Sequence, residues 1–67
     1  MTIDFYDNED TYGRIETENP DDIEKLLEEY KKLNAEEYNI DEFYEFLKEK
    51  NIDFTIINIE ADRKIYF

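Results

Sequence analysis

The chain has 67 residues, of which 20 are Asp or Glu and 8 are Lys or Arg, so its formal net charge is -12. Nucleic acid and anionic membrane surfaces repel such a polyanion, which argues against direct binding to either. The chain contains neither Cys nor His. Because thiolates and imidazoles supply much of the nucleophilic, acid–base and metal-binding chemistry of proteins, we expect no enzyme, no cofactor and no metal site.

The first third of the chain predicts a β-hairpin. Residues 2–6 alternate between apolar and polar faces, as in a half-buried strand. Residues 7–10 are acidic or turn-compatible, and residues 11–17 read as the return strand, with Ile15 as its clearest core residue. Gly13 within this second strand indicates a bulge or a close backbone approach.

A helix is predicted to follow from Asn19 and Pro20, which suit the cap and the first helical position. Apolar residues then recur at steps of three and four, as they do along one face of a helix. These residues are Ile23, Leu26, Leu27, Tyr30 and Leu33. Asn34 is expected to end this helix.

A second helix is predicted after a short connection over residues 34–39. Asn39 and Glu42 have the spacing of a capping box at its start. Asn51 suits the left-handed residue that often follows a helix. The predicted buried stripe consists of Ile40, Phe43, Tyr44 and Leu47, broadened by Phe46.

The strongest strand signal of the chain covers residues 53–59. Its apolar residues point to both faces, which predicts either a central strand covered on both sides or a bulge that switches faces. Residues 60–63 are expected to form a turn and residues 64–67 a final strand. The predicted fold is a small two-layer α+β sandwich in the order β-hairpin, two helices, β-hairpin (ββααββ). Its sheet of three to four strands has both helices on one face.

Length allows a single acidic domain over residues 1–67. Aromatic residues make up 16% of the chain, which contains one Gly and one Pro, a composition that favours a folded protein over a disordered one. The N-terminal residues lack the basic and apolar regions of a signal peptide, and no apolar run is long enough to span a membrane. We expect a cytoplasmic protein, located in the host cytoplasm if a phage encodes it.

The acidic residues concentrate in two segments, residues 4–24 and residues 36–49, on either side of a helix with nearly balanced charge. A domain of this length has a radius of gyration of about 11 Å, and duplex DNA carries about 16 charges over the corresponding diameter. The net charge of the chain is of the same order.

Around Gly13 the pattern of a calcium-binding EF-hand fails, because Tyr12 and Asn19 stand where acidic ligands are required.

Two short stretches carry a resemblance to a functional class. They are the acidic turn Asp7-Asn8-Glu9-Asp10 and the acidic–aromatic stretch that runs from Asp41 to Phe46. In these, and in size, charge and the absence of Cys, the chain resembles the small inhibitors that phages encode against host defences, above all anti-CRISPR proteins and other DNA mimics. The resemblance implies competitive occlusion of a basic DNA-binding site in a Cas effector or similar protein.

The resemblance makes the partner a basic nucleic-acid-binding protein and implies no direct contact with nucleic acid or a membrane. The predicted partner-binding residues are Asp7, Glu9, Asp10, Glu36, Glu37, Asp41, Glu42, Tyr44 and Glu45. The alternative hypothesis is a small acidic interaction module, such as an antitoxin or a homodimer, that associates through apolar strand edges without mimicry.

Overall fold

The structure is a computed structural model that describes residues 1–8, 10–34 and 37–67. It contains four strands and two helices in the predicted order ββααββ. Their bounds are β1 (Thr2–Asp7), β2 (Asp10–Glu16), α1 (Pro20–Leu33), α2 (Ile40–Glu49), β3 (Thr55–Ile56) and β4 (Arg63–Tyr66). The two-layer α+β arrangement is confirmed.

The first hairpin forms as predicted and contains a bulge. β1 buries Ile3 and Phe5 beneath the helices and pairs antiparallel with β2. Phe5 pairs with Gly13 but Tyr6 pairs with Thr11, so Tyr12 is the extra residue on β2. A bulge of this kind bends the strand and increases its twist.

The strand order across the sheet is β3-β2-β1-β4. β4 pairs parallel with β1, and β3 and β4 lie at opposite edges of the sheet. Because β3 and β4 do not pair with each other, the prediction of a second hairpin is wrong. The six residues that connect β3 to β4 must therefore cross the sheet. The two strands are three strand spacings apart, or about 14 Å, and an extended chain of six residues can span that distance. This crossing is anchored at Asp62, whose backbone N–H donates to the Thr2 hydroxyl at 2.8 Å.

Strand β3 is much shorter than the sequence predicts. Only Thr55 and Ile56 form a ladder, at an edge of the sheet and with both residues exposed. Both predicted alternatives for residues 53–59, a central strand and a strand with a bulge that switches faces, are therefore wrong. Phe54 packs against the core instead, with its ring centroid 5.2 Å from that of Tyr44. Ile56 and Ile59 remain exposed.

Both helices lie on one face of the sheet and bury most of the predicted apolar residues. The core comprises Ile3, Phe5, Ile15, Ile23, Leu27, Tyr30, Phe43, Tyr44, Leu47, Ile65 and Phe67. Leu33, predicted to belong to the buried stripe of α1, lies exposed at the last turn. None of the helices in the described residues is long and apolar enough to cross a membrane.

The two helices begin in different ways. The Asn39 side chain caps α2 by accepting hydrogen bonds from the N–H groups of Asp41 (2.8 Å) and Glu42 (3.4 Å). Asn19 makes no such bond at the start of α1; instead, its N–H donates to the Thr17 hydroxyl at 3.1 Å. A side chain therefore satisfies free helix N–H groups of α2 but not of α1.

Asn39→Ala should lower the free energy of unfolding by about 1 kcal/mol, because it removes the cap of α2. Asn19→Ala is the matched control, and we expect it to change stability by less than about half that amount. Urea denaturation followed by circular dichroism measures both. Equal losses for the two variants would contradict the difference in capping.

Candidate functional site

The structure brings carboxylates from both acidic segments of the chain to the same end of the molecule. We call this surface the acidic end and define it by five carboxylates and three exposed tyrosines. They are Asp7, Asp10, Glu37, Asp41, Glu42, Tyr12, Tyr38 and Tyr66. The hairpin turn contributes the first two carboxylates, and the start of α2 with the residues before it contributes the other three.

Phe67 joins the hairpin to the connection between the helices. Its ring, buried in the core, lies 5.6 Å from that of Tyr12 and 6.4 Å from that of Tyr38. Tyr12 and Tyr38 remain 47% and 42% exposed, and the ammonium group of Lys31 lies 5.6 Å from the centroid of the Tyr38 ring. The hairpin turn and the segment that leads into α2 are therefore held close together by aromatic contacts.

The start of α2 is fixed by the hydroxyl of Tyr30 on α1. This hydroxyl accepts from the N–H of Asn39 at 3.1 Å, taking the place that the predicted capping box assigned to the Glu42 side chain. It also lies within donor distance of the Asn39 carbonyl (3.2 Å) and of the Glu42 carboxylate (3.3 Å). Burial raises the pKa of Tyr30 above its usual value, so the hydroxyl keeps its proton at neutral pH.

Asp7 is the half-buried centre of the hairpin side of the acidic end. The hydroxyl of Tyr12 donates to its carboxylate at 3.0 Å. A hydrogen bond to Asp7 and the charge of that carboxylate raise the pKa of both Tyr12 and Tyr66. Asp7 thus orients the exposed ring of Tyr12 and lies close to Tyr66. Asp10 and Glu37 are exposed carboxylates.

Glu45 lies one turn further along α2 than Asp41. Its carboxylate is exposed and forms an ion pair with Lys48 at 3.5 Å. An exposed pair of this kind contributes little to stability, but it partly neutralises the charge that Glu45 presents. Glu9 and Glu36, also predicted to bind a partner, lie outside the described residues.

Tyr44 was predicted to contact a partner, but the structure places it in the core, where it is only 7% exposed. Its ring lies across β2 with the hydroxyl directly over Gly13, where a Cβ atom would collide with it. This close approach confirms the reason predicted for a glycine at that position. The hydroxyl is buried and has no hydrogen-bond partner among the described residues.

The exposed tyrosines of the acidic end are the residues that sequence reasoning missed. Tyr66 follows Ile65 and precedes Phe67 in a strand with strict alternation, so its outward orientation was available from the pattern. Tyr12 could not be assigned in this way, because the bulge interrupts the alternation of β2. Tyr38 lies in a connection without periodicity.

The arrangement combines negative charge with aromatic surface. In the described part of the chain, no group of three or more carboxylates is placed to hold a metal ion. No family model, no curated protein and no solved structure matches this chain.

Gly13→Ala should destabilise the protein by about 1–3 kcal/mol, the usual cost of overpacking a core. Tyr44→Phe should leave stability unchanged or raise it by about 1 kcal/mol, because it removes a buried hydroxyl without a partner. In the double variant the cost of Gly13→Ala should fall, since the colliding atom is gone. A double-mutant cycle from urea denaturation measures this coupling, and additive effects would contradict the contact.

Burial, with a smaller contribution from the charge of Asp41, raises the pKa of Tyr44 to about 12. An unfolded tyrosine titrates near pH 10, so between pH 10 and about 12 the folded state binds more protons than the unfolded state. Stability should therefore be complete below pH 10 and decline as the pH rises toward 12.

Absorbance at 295 nm should show a tyrosine that ionises near pH 12 in the wild-type protein and is absent from Tyr44→Phe. The same substitution should flatten the decline in stability above pH 10. Tyr38→Phe serves as a control with an exposed ring, and it should retain the ionisation near pH 12. Loss of the highest ionisation in Tyr38→Phe would contradict the assignment to Tyr44.

Proposed function

We propose that this chain is an inhibitor that acts as a DNA mimic and occupies the basic nucleic-acid-binding site of another protein. The partner is a host defence protein such as a CRISPR–Cas effector. The observation that carries the proposal is the convergence of carboxylates from both acidic segments at one end of the molecule, around exposed tyrosine rings. Acidic residues scattered for solubility alone would not need this convergence.

The dimensions of the domain suit this role. Its principal extents are 29 × 29 × 18 Å, and a face of that size spans about as much duplex as carries 16 phosphate charges. The net charge of -12 is close to that number. The chain therefore offers a charge density comparable to that of the DNA it would displace.

The tyrosines add a second kind of contact. A nucleic-acid-binding site often combines Arg and Lys side chains for phosphates with surfaces on which bases stack. Arg side chains also bind over aromatic rings. Carboxylates beside the rings of Tyr12 and Tyr38 can therefore occupy both kinds of subsite at once.

The proposed mechanism is competitive occlusion. The carboxylates of the acidic end pair with the arginines and lysines that otherwise contact phosphates or the short motif recognised beside a target. Association is fast and affinity falls steeply as salt increases, because complementary charge governs the encounter.

A homodimer or other interaction module is the second candidate function, favoured by the open edges of the sheet. Ile56 on the edge strand β3 and Ile59 after it are exposed isoleucines, and exposed edges invite pairing. Gel filtration across a salt series distinguishes the two. An apolar dimer persists at all salt concentrations, whereas a mimic is monomeric and binds a basic partner only at low salt.

Reversal of Asp10, Glu37 and Asp41 to Lys should weaken partner binding at least tenfold at low salt. These three carboxylates are exposed, and none belongs to the bonds that hold Tyr30 or Asp7. Pull-down from a nuclease-treated lysate of a host that carries defence systems, at low and high salt, provides the measurement. Nucleic-acid-binding proteins should be retained at low salt and released by added duplex DNA.

Reversal of Glu18, Asp53 and Glu60 is the matched control. These exposed carboxylates do not belong to the acidic end, and Glu18 and Asp53 lie beside Met1. Their reversal changes the net charge by the same amount. We expect the control variant to retain most of the binding. Equal losses in both triple variants, or retained partners that do not bind nucleic acid, would contradict the proposal.

A further inference from the structure

The outer edge of β2 is open over half its length. β3 pairs with Ile15 and Glu16 only, and the last bond of this ladder runs from the N–H of Ile57 to the carbonyl of Arg14 at 2.9 Å. β2 continues to Asp10. Among the described residues, no strand covers the edge of residues 10–13.

A groove of about 460 Å³ lies along this open edge. β2 forms one side of the groove, the start of α2 the second, and the chain that leaves β3 the third. The lining residues that matter for its chemistry are Gly13, Ile40, Asp41, Tyr44, Ile56 and Ile57. Ile56 is 64% exposed, so it leaves apolar surface in the groove for an incoming side chain.

The charge around the groove selects its occupant. Asp41 lies in its wall and Asp10 at the end of the open edge. Arg14 is the basic residue among those that line the groove, and its guanidinium is engaged by the buried Asp4 at 3.2 Å. The groove therefore presents uncompensated negative charge beside apolar surface.

We infer that this groove binds an extended basic segment of the partner protein, which adds to β2 as a strand. Such a segment alternates Lys or Arg with apolar residues. Its backbone pairs with the open edge of β2, its apolar side chains lie against Ile56 and Ile40, and its cations lie near Asp10 and Asp41. A second copy of this chain is disfavoured as the occupant, because each copy carries a net charge of -12.

The inference rests on the proposed function, since it takes the partner to be a basic protein. It adds a backbone-directed contact to an interaction otherwise governed by charge. Main-chain hydrogen bonds of an added strand depend on geometry, so this contact gives the acidic end a preference among basic partners that charge alone does not give.

The test uses the peptide Lys-Val-Lys-Val-Lys-Val-Lys and a version of it that is N-methylated at alternate residues and so cannot form the strand ladder. Nitrogen–proton correlation spectra of the full chain are recorded with each peptide. The unmodified peptide should shift the amide signals of residues 10–14 and 56–58 and should protect amides of residues 10–13 from exchange. The methylated peptide should bind at least tenfold more weakly.

Ile56→Lys should weaken binding of the unmodified peptide at least tenfold, because it places a cation and removes apolar surface in the groove. Ile59→Lys is the matched control. Ile59 is 62% exposed but does not line the groove, so its substitution changes the charge equally and should reduce binding less than threefold. The exposure of both side chains means that both variants should fold.

Equal binding of the two peptides, or equal losses in the two isoleucine variants, would overturn strand addition. A dimer of the free chain with residues 10–13 protected would overturn it as well, because a second copy would then occupy the edge. The proposed function is tested separately by the pull-down. If the triple reversal of Asp10, Glu37 and Asp41 loses partners that Ile56→Lys retains in full, strand addition is wrong and the proposed function stands. If neither variant loses partners, strand addition and the proposed function are both wrong.

Discussion

The hydroxyl of Tyr30 is the contact on which the position of the acidic end depends. It accepts from the N–H of Asn39 and lies close to Glu42, so one buried group on α1 fixes the first turn of α2. The Tyr30 ring also packs near Phe43 and Phe67 in the core. Because Phe67 in turn contacts Tyr12 and Tyr38, the two acidic segments stay together through a continuous set of aromatic contacts. Repulsion between the segments is thereby opposed by apolar burial instead of ion pairs.

The bulge in β2 links the core to the surface. It adds Tyr12 to the strand and directs that residue's hydroxyl toward Asp7. Next to it, the absence of a side chain at Gly13 lets the Tyr44 ring lie across the strand and brings α2 close to β2. The result is a groove with a short edge strand on one side and the acidic start of a helix on the other. A local irregularity of one strand therefore shapes both the charged surface and the open edge beside it.

Local patterns predicted most elements, but long-range pairing overrode them at the C-terminal end. Asn39 and Pro20 mark the starts of the helices in the sequence because capping and proline geometry are local effects. The apolar run over residues 53–59 satisfied every local criterion for a strand, yet only Thr55 and Ile56 form one. Phe54 packs against Tyr44 of α2 while Ile56 and Ile59 stay exposed, an outcome that depends on residues distant in the sequence. The parallel pairing of β4 with β1 likewise has no local signal, because hairpin and crossover connections of six residues look alike in sequence.

The sequence by itself determined the order of the elements, the alternation of β1, the stripes of both helices and the two acidic segments. These features follow from periodicity and composition, which any segment carries alone. Only the tertiary structure decided that the two acidic segments meet, that Tyr44 is buried while Tyr12 and Tyr38 are exposed, and that β2 keeps an open edge. Each of these depends on how β2, β4 and α2 pack against one another. Packing of this kind is set by contacts between residues far apart in the chain, so neither charge nor periodicity within a segment reveals it.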